Sequence, residues 1–187
     1  MGKVTRRQLT DLLGMLGVVA VLAGLAIGLP AVDAALPANR PVSPDRRYEI
    51  GAGVTVLPPS GAVLDVTATR PGDLRGSALF RLGPVRYLIA VRPFHGDVEA
   101  AAASLRARIT GTPGYQVTGT QRSITTDYGR QGLQGGYTAP GRSGRYAVFV
   151  ASGLSAEVTV AGADLDLGHR LSAVERSTMS LRFPEQS

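Results

Sequence analysis

Apolar and polar positions alternate along this chain with two different periods, and the switches between them lay out its elements. "GVTVLPPSG" places Val54 and Val56 in strand parity before a Pro-Pro-Ser-Gly turn. "AVLDVTAT" continues the alternation and predicts Leu64, Val66 and Ala68 on one face, with Asp65 and Thr67 on the other. "SALFRLGPVRYLIAVRP" predicts a hairpin: Ala78, Phe80 and Leu82 point one way, Gly83-Pro84 turns, and Val85, Tyr87, Ile89 and Val91 form the next apolar row. Arg81, Arg86 and Arg92 fall on the opposite parity.

The period then changes. Val98, Ala101, Ala102, Leu105 and Ile109 follow helical spacing, with Asp97 as N-cap, Glu99 in the first turn, and Gly111 and Pro113 as the stop. Strands are predicted over Tyr115–Thr120, Leu133–Thr138, Arg145–Ala151 and Ala156–Val160. "ADLDLGHRLSAVERSTMSLRF" closes the chain as a second helix lined by Leu167, Leu171, Val174 and Leu181. Asp164 or Asp166 can cap it, and Gly168 in its first turn costs about 1 kcal/mol against Ala. Short turns between strands imply antiparallel pairing, and both amphipathic helices must bury a stripe on the sheet. The predicted fold is α+β, an antiparallel sheet packed with two amphipathic helices and preceded by one N-terminal transmembrane helix.

That span is residues 12–29, which carry no charge. As a helix they reach about 27 Å, close to a hydrocarbon core of about 30 Å and longer than the apolar region of most signal peptides. The reading divides the chain into a cytoplasmic tail (1–11), an anchor (12–29), a Pro-rich linker (30–47) and an extracytoplasmic domain (48–187). Val32-Asp33-Ala34 offers a cleavage site, so removal near Ala34 stays open. Lys3, Arg6 and Arg7 place the N-terminus in the cytoplasm, although Arg40, Arg46 and Arg47 follow on the other side. Ala20, Gly24 and Gly28 form a small-residue face suited to a contact with a second membrane helix, including one from another copy of the chain. The linker, fully extended, would reach roughly 50 Å.

The remaining 150 or so residues suffice for one domain with its own core. The chain of 187 residues has no cysteine and no tryptophan, which removes disulfides, thiolate sites and lipid-modified cysteine. Its net charge is +6, spread without a basic block, and nineteen of its twenty basic residues are arginine. Such scatter argues against nucleic acid as a partner. The patterned exception is the row Arg81, Arg86 and Arg92, read either as a solvated face or as a basic surface for acidic headgroups or an acidic partner.

Catalytic motifs are missing. His95 and His169 are the only histidines, too few for a zinc site without cysteine. "SGLSA" and "GRSGR" do not match G-x-S-x-G, and Ser123, His169 and Asp127 have no spacing that recommends them as a triad. "GAGVTV" lacks the third glycine of a dinucleotide loop, and "GRQGLQGGY" lacks Gly-Lys-Ser/Thr. The latter reads as a bulged or close-packed strand, with a flexible loop beside a groove as the alternative. No cofactor, metal or catalytic residue is assigned.

"VTVLPPSG", the helix "DVEAAAASLRARI", the run of strands and "LSAVERSTMSLRF" together resemble the PsbP-like α/β-sandwich domain over Tyr48–Phe183. Membrane-anchored and lipoprotein versions of that family occur in actinobacterial envelopes. The chain departs from them in lacking a tryptophan after the first Pro-rich turn and a lipid-modified cysteine. The resemblance implies a non-enzymatic assembly or interaction module, sometimes with a ligand groove, and carries over no catalytic residue. The expected function is a single-pass, membrane-anchored interaction module of a bacterial cell envelope with an envelope protein as partner. The alternative is a small-ligand or lipid-binding domain, which requires a deep apolar pocket between sheet and helix.

Overall fold

The strongest alternation in the sequence sits at the middle of the molecule. In the computed structural model, which describes residues 38–185, β5 (Gly76–Leu82) and β6 (Val85–Pro93) form the expected hairpin. Gly83 closes it at φ +63°, a left-handed conformation that glycine adopts without a Cβ clash. The expected cytoplasmic tail, the anchor at 12–29 with Ala20, Gly24 and Gly28, and most of the linker lie outside the described residues. Among the described residues no helix is long and apolar enough to cross a membrane.

The other strands are β1 (Asn39–Pro41), β2 (Tyr48–Gly51), β3 (Val54–Val56), β4 (Val63–Asp65), β7 (Gln116–Thr125), β8 (Gln131–Ala139), β9 (Arg142–Ala151) and β10 (Leu154–Gly162). Eight strands form one antiparallel sheet in the order β1-β4-β5-β6-β10-β9-β8-β7, and β2-β3 pair separately. After β6 the chain crosses by α1 (Val98–Thr110) to the far edge, then returns as the meander β7-β8-β9-β10 to pair with β6. α2 (Asp164–Met179) follows. The architecture is the predicted α+β arrangement of an antiparallel sheet with two helices.

Each sheet face has its own apolar cluster. On one side Phe80, Tyr87, Ile89, Phe149 and Val158 meet Leu167 and Val174 of α2 together with Ile50, Val54 and Val56 of the β2-β3 hairpin. On the other, Ala101, Ala102, Leu105 and Ile109 of α1 meet Tyr137, Tyr146 and Val148. Asp97 caps α1 as expected, its carboxylate accepting from the Ala100 N–H at 2.8 Å. The glycines of "GRQGLQGGY" make room for rings. A Cβ on Gly132 would come within 2.4 Å of Phe149, one on Gly135 within 2.5 Å of the Tyr146 hydroxyl, and one on the facing Gly144 within 2.2 Å of Tyr137. This is the close-packed strand, not a flexible loop.

Four expectations about element limits change. The folded unit starts at Asn39 rather than Tyr48, because β1 pairs with β4, with Asn39 opposite Asp65 and Pro41 opposite Val63. Arg47, expected in the linker, is pinned: its Nε donates to Thr55 Oγ1 at 2.9 Å, and it lies 5.2 Å from the centre of the Tyr128 ring. β4 stops at Asp65, whose Oδ1 accepts from Thr67 N, Thr67 Oγ1 and Ala68 N at 3.1, 2.7 and 3.1 Å. That turn competes with the strand, so Val66 is exposed instead of buried beside Leu64. At α2, neither Asp164 nor Asp166 caps the helix. Ala163 takes the cap position, and the two acids sit in the first turn, where Asp164 accepts from the Ser143 hydroxyl. The helix ends at Met179, so Leu181 is buried from the following tail, where Arg182 bridges to Thr55.

Candidate functional site

The two helices cover unequal parts of the sheet. α2 and the β2-β3 hairpin span β5, β6, β10 and β9 on their side, whereas α1 packs chiefly on β7, β8 and β9. Among the described residues no helix covers β4, β5 and β6 on the α1 side. Strand parity places Arg81, Arg86, Leu88, Ala90 and Arg92 on this half-bare face. The structure therefore brings all three arginines of the predicted basic row together on one surface.

Their situations differ. Arg81 and Arg86 are directly opposite each other across the β5-β6 ladder and both are exposed. The carboxylate beside them is Asp65, whose Oδ2 is 3.8 Å from Arg81. The Thr67 hydroxyl, with smaller help from two backbone N–H groups and Arg81, holds the Asp65 carboxyl below the usual carboxylate range. Like charges facing each other on a sheet destabilise it, and one long ion pair at a half-exposed site offsets little of that.

Arg92 is occupied. Its Nη2 donates to Glu157 Oε2 at 2.9 Å, and Arg108 of α1 donates to the same oxygen. Glu157 is 7% exposed at its side chain, whereas both arginines are 42% exposed. A buried carboxylate needs such partners, so this cluster fastens α1 to the central strands and marks the border of the bare half.

The surface next to it is grooved. Arg70, Arg75, Gly72 and Ser77 line, with Arg92, a depression of about 540 Å³ at the start of β5. A second groove of about 300 Å³ lies on the α2 side at the β7 bulge, lined by Thr118, Arg122, Gln134 and Arg145. Between α2 and the sheet, by contrast, the free space beside Leu171, Val174 and Val158 is about 30 Å³, room for one water. That packing runs against the small-ligand or lipid pocket, which required an apolar cavity there.

Among the described residues the two histidines lie on separate elements. His95 lies in the β6-α1 connection and His169 on α2. The Asp127 N–H donates to the Met179 carbonyl at the C-terminal end of α2, at 2.9 Å. His169 is therefore about 15 Å away along the helix axis, too far for hydrogen-bonded relay with Asp127. Among the described residues no three His, Asp or Glu side chains gather as a metal site requires. Two features had no counterpart in the sequence reading: the buried Glu157 cluster and the groove at Arg70 and Arg75. Glu157 carried a signal, a lone carboxylate in the apolar run "SAEVTVAG".

Among solved structures, cyanobacterial PsbP (CyanoP) from Synechocystis sp. PCC 6803 is similar at a TM-score of 0.54 and 14% identity, covering 77% of this chain and 95% of that one. A Pseudomonas aeruginosa protein of unknown function is similar at 0.45 and 17%, covering 56% and 78%. A Bacteroides thetaiotaomicron protein is similar at 0.42 and 10%, covering 76% and 50%. No family model and no curated protein matches the sequence. At these identities the likeness is one of fold, carried by the first structure, and it bears out the coarser part of the resemblance: the chain has a PsbP-like fold.

Proposed function

We propose that the chain is a non-enzymatic docking module of a bacterial cell envelope, of the actinobacterial kind that the sequence resembles. In this reading residues 12–29 span the membrane once, the N-terminus is cytoplasmic, and the domain lies outside the cytoplasm. Its partner is an acidic segment of another envelope protein, seated on the half-bare sheet face.

The observation that carries this reading is the facing pair Arg81 and Arg86 on a surface that no helix among the described residues covers. The pair lowers the stability of the isolated fold, and an acidic partner would relieve the repulsion on binding. Leu88 and Ala90 between the arginines and the Glu157 cluster supply an apolar floor. Site-specific photocrosslinking in intact membranes tests it, with a photoreactive side chain at Leu88 or, as a control, at Ser172 on the exposed side of α2. A discrete protein adduct is expected from position 88 and none from 172. Equal adducts from both positions, or none from either, would contradict the reading.

A further inference from the structure

Register fixes the end of the sheet from which the chain enters the fold. Asn39 is level with Asp65, Pro41 with Val63, and Val63 with Arg81. Farther along β5 in the other direction, Ser77 pairs with Arg70. The chain therefore reaches Asn39 from the side of Arg70 and Ser77, opposite the Gly83 turn.

That end carries basic and apolar groups side by side. The β4-β5 connection, residues 66–75, contains Arg70 and Arg75, both exposed, with Asp73 as its only acid. Leu74 at its tip is 75% exposed, and Val66 is 40% exposed. The Arg70 guanidinium donates to the Thr67 and Thr69 carbonyls at 2.5 and 2.9 Å, and the Gly72 carbonyl accepts from Ala52 N at 3.0 Å, so the loop is held in place. Among the described residues neither Arg70 nor Arg75 has a carboxylate partner. With Arg92 they line the groove of about 540 Å³.

We infer that this end rests on an anionic phospholipid surface, with Leu74 among the headgroups and Arg70 and Arg75 on lipid phosphates. The inference depends on the anchored reading above. On that reading residues 30–38 are the only link between the span and the sheet, and they reach at most about 30 Å even when fully extended. A link that short holds the entering end within about 30 Å of the span. An aliphatic side chain between two arginines suits the boundary between headgroups and acyl chains, where the apolar part is buried and the charges meet phosphate. The Arg81 and Arg86 surface then faces sideways, open to a protein partner.

The absence of cysteine allows a direct test with the full-length chain in bilayers. An environment-sensitive dye is attached at Leu74→Cys or, as a control, at Leu165→Cys, which is 80% exposed at the opposite end of the sheet. Quenching by lipids labelled near the headgroup should be severalfold stronger at 74 than at 165 when phosphatidylglycerol is present. It should fall to the level of 165 in phosphatidylcholine alone, and in the 74-labelled chain carrying Arg75→Gln, a change that breaks no hydrogen bond among the described residues. Equal quenching at both sites, or quenching at 74 indifferent to lipid charge and to Arg75, would overturn the inference. Loss of quenching on adding glycerol phosphate would assign the groove to a soluble anion and overturn it too. A chain that fails to float with the vesicles removes the anchored reading and this inference with it; one that floats while 74 stays unquenched removes this inference alone.

Discussion

Arg81 and Arg86 face each other directly across the central β5-β6 hairpin, two exposed guanidinium groups beside a single carboxylate, Asp65, 3.8 Å from Arg81. A fold selected for stability alone gains from replacing either. Arg86→Glu turns the facing pair into an ion pair and should stabilise the domain by roughly 0.5–1 kcal/mol, a rise in Tm of a few degrees. Thermal unfolding by circular dichroism reads this directly. An unchanged or lowered Tm would mean that the two side chains already avoid each other.

Around Glu157 the expectation is non-additive loss. Arg92→Ala or Arg108→Ala alone leaves the carboxylate one partner and should cost about 1 kcal/mol, since both arginines are partly in water. Removing both strands a buried charge and should cost about 3–5 kcal/mol. Urea denaturation of the two single variants and the double variant gives the coupling, expected to exceed 1 kcal/mol by the arithmetic of a double-mutant cycle.

Two glycines should respond with opposite signs. Gly168 in α2 has open space where a Cβ would stand, so Gly168→Ala should stabilise by about 0.5–1 kcal/mol. Gly144 has the Tyr137 ring at 2.2 Å from that point, so Gly144→Ala should destabilise by about 1–3 kcal/mol. Chemical denaturation of both variants separates packing from helix propensity.

Burial pushes the hydroxyls of Tyr87 and Tyr137 up to about 12. Both exceed the unfolded value of about 10, so their contribution is intact below about pH 10. It is lost as the unfolded chain ionises between about pH 10 and 12, and stability should fall through that window. Tyr87→Phe removes a hydrogen bond of 3.1 Å to Thr178 and should cost about 1 kcal/mol at neutral pH. The same variant cannot ionise at this position, so its deficit should shrink by pH 11. A deficit that grows with pH would contradict the assignment.

Legibility in the sequence followed how local each cause is. The β5-β6 hairpin and α1 were readable because their periods, turn and caps lie within the elements themselves. The arginine row was readable by parity, but that Arg92 is occupied depends on Arg108 and Glu157, which are distant in sequence. β1 was unreadable: "NRP" has no alternation and becomes a strand only because β4 offers its edge. β4 was read too long because one side chain, Asp65, outweighs the alternation that continues through Val66 and Ala68.

If the facing arginines are kept for a partner at the expense of the fold, the charge at position 86 governs docking and the stability of the domain does not. The yield of the Leu88 photocrosslink in membranes, compared among the unaltered chain, Arg86→Lys and Arg86→Glu, tests it most directly. Lysine should retain most of the adduct, while glutamate should lose it despite a domain at least as stable. Undiminished crosslinking in Arg86→Glu would contradict it.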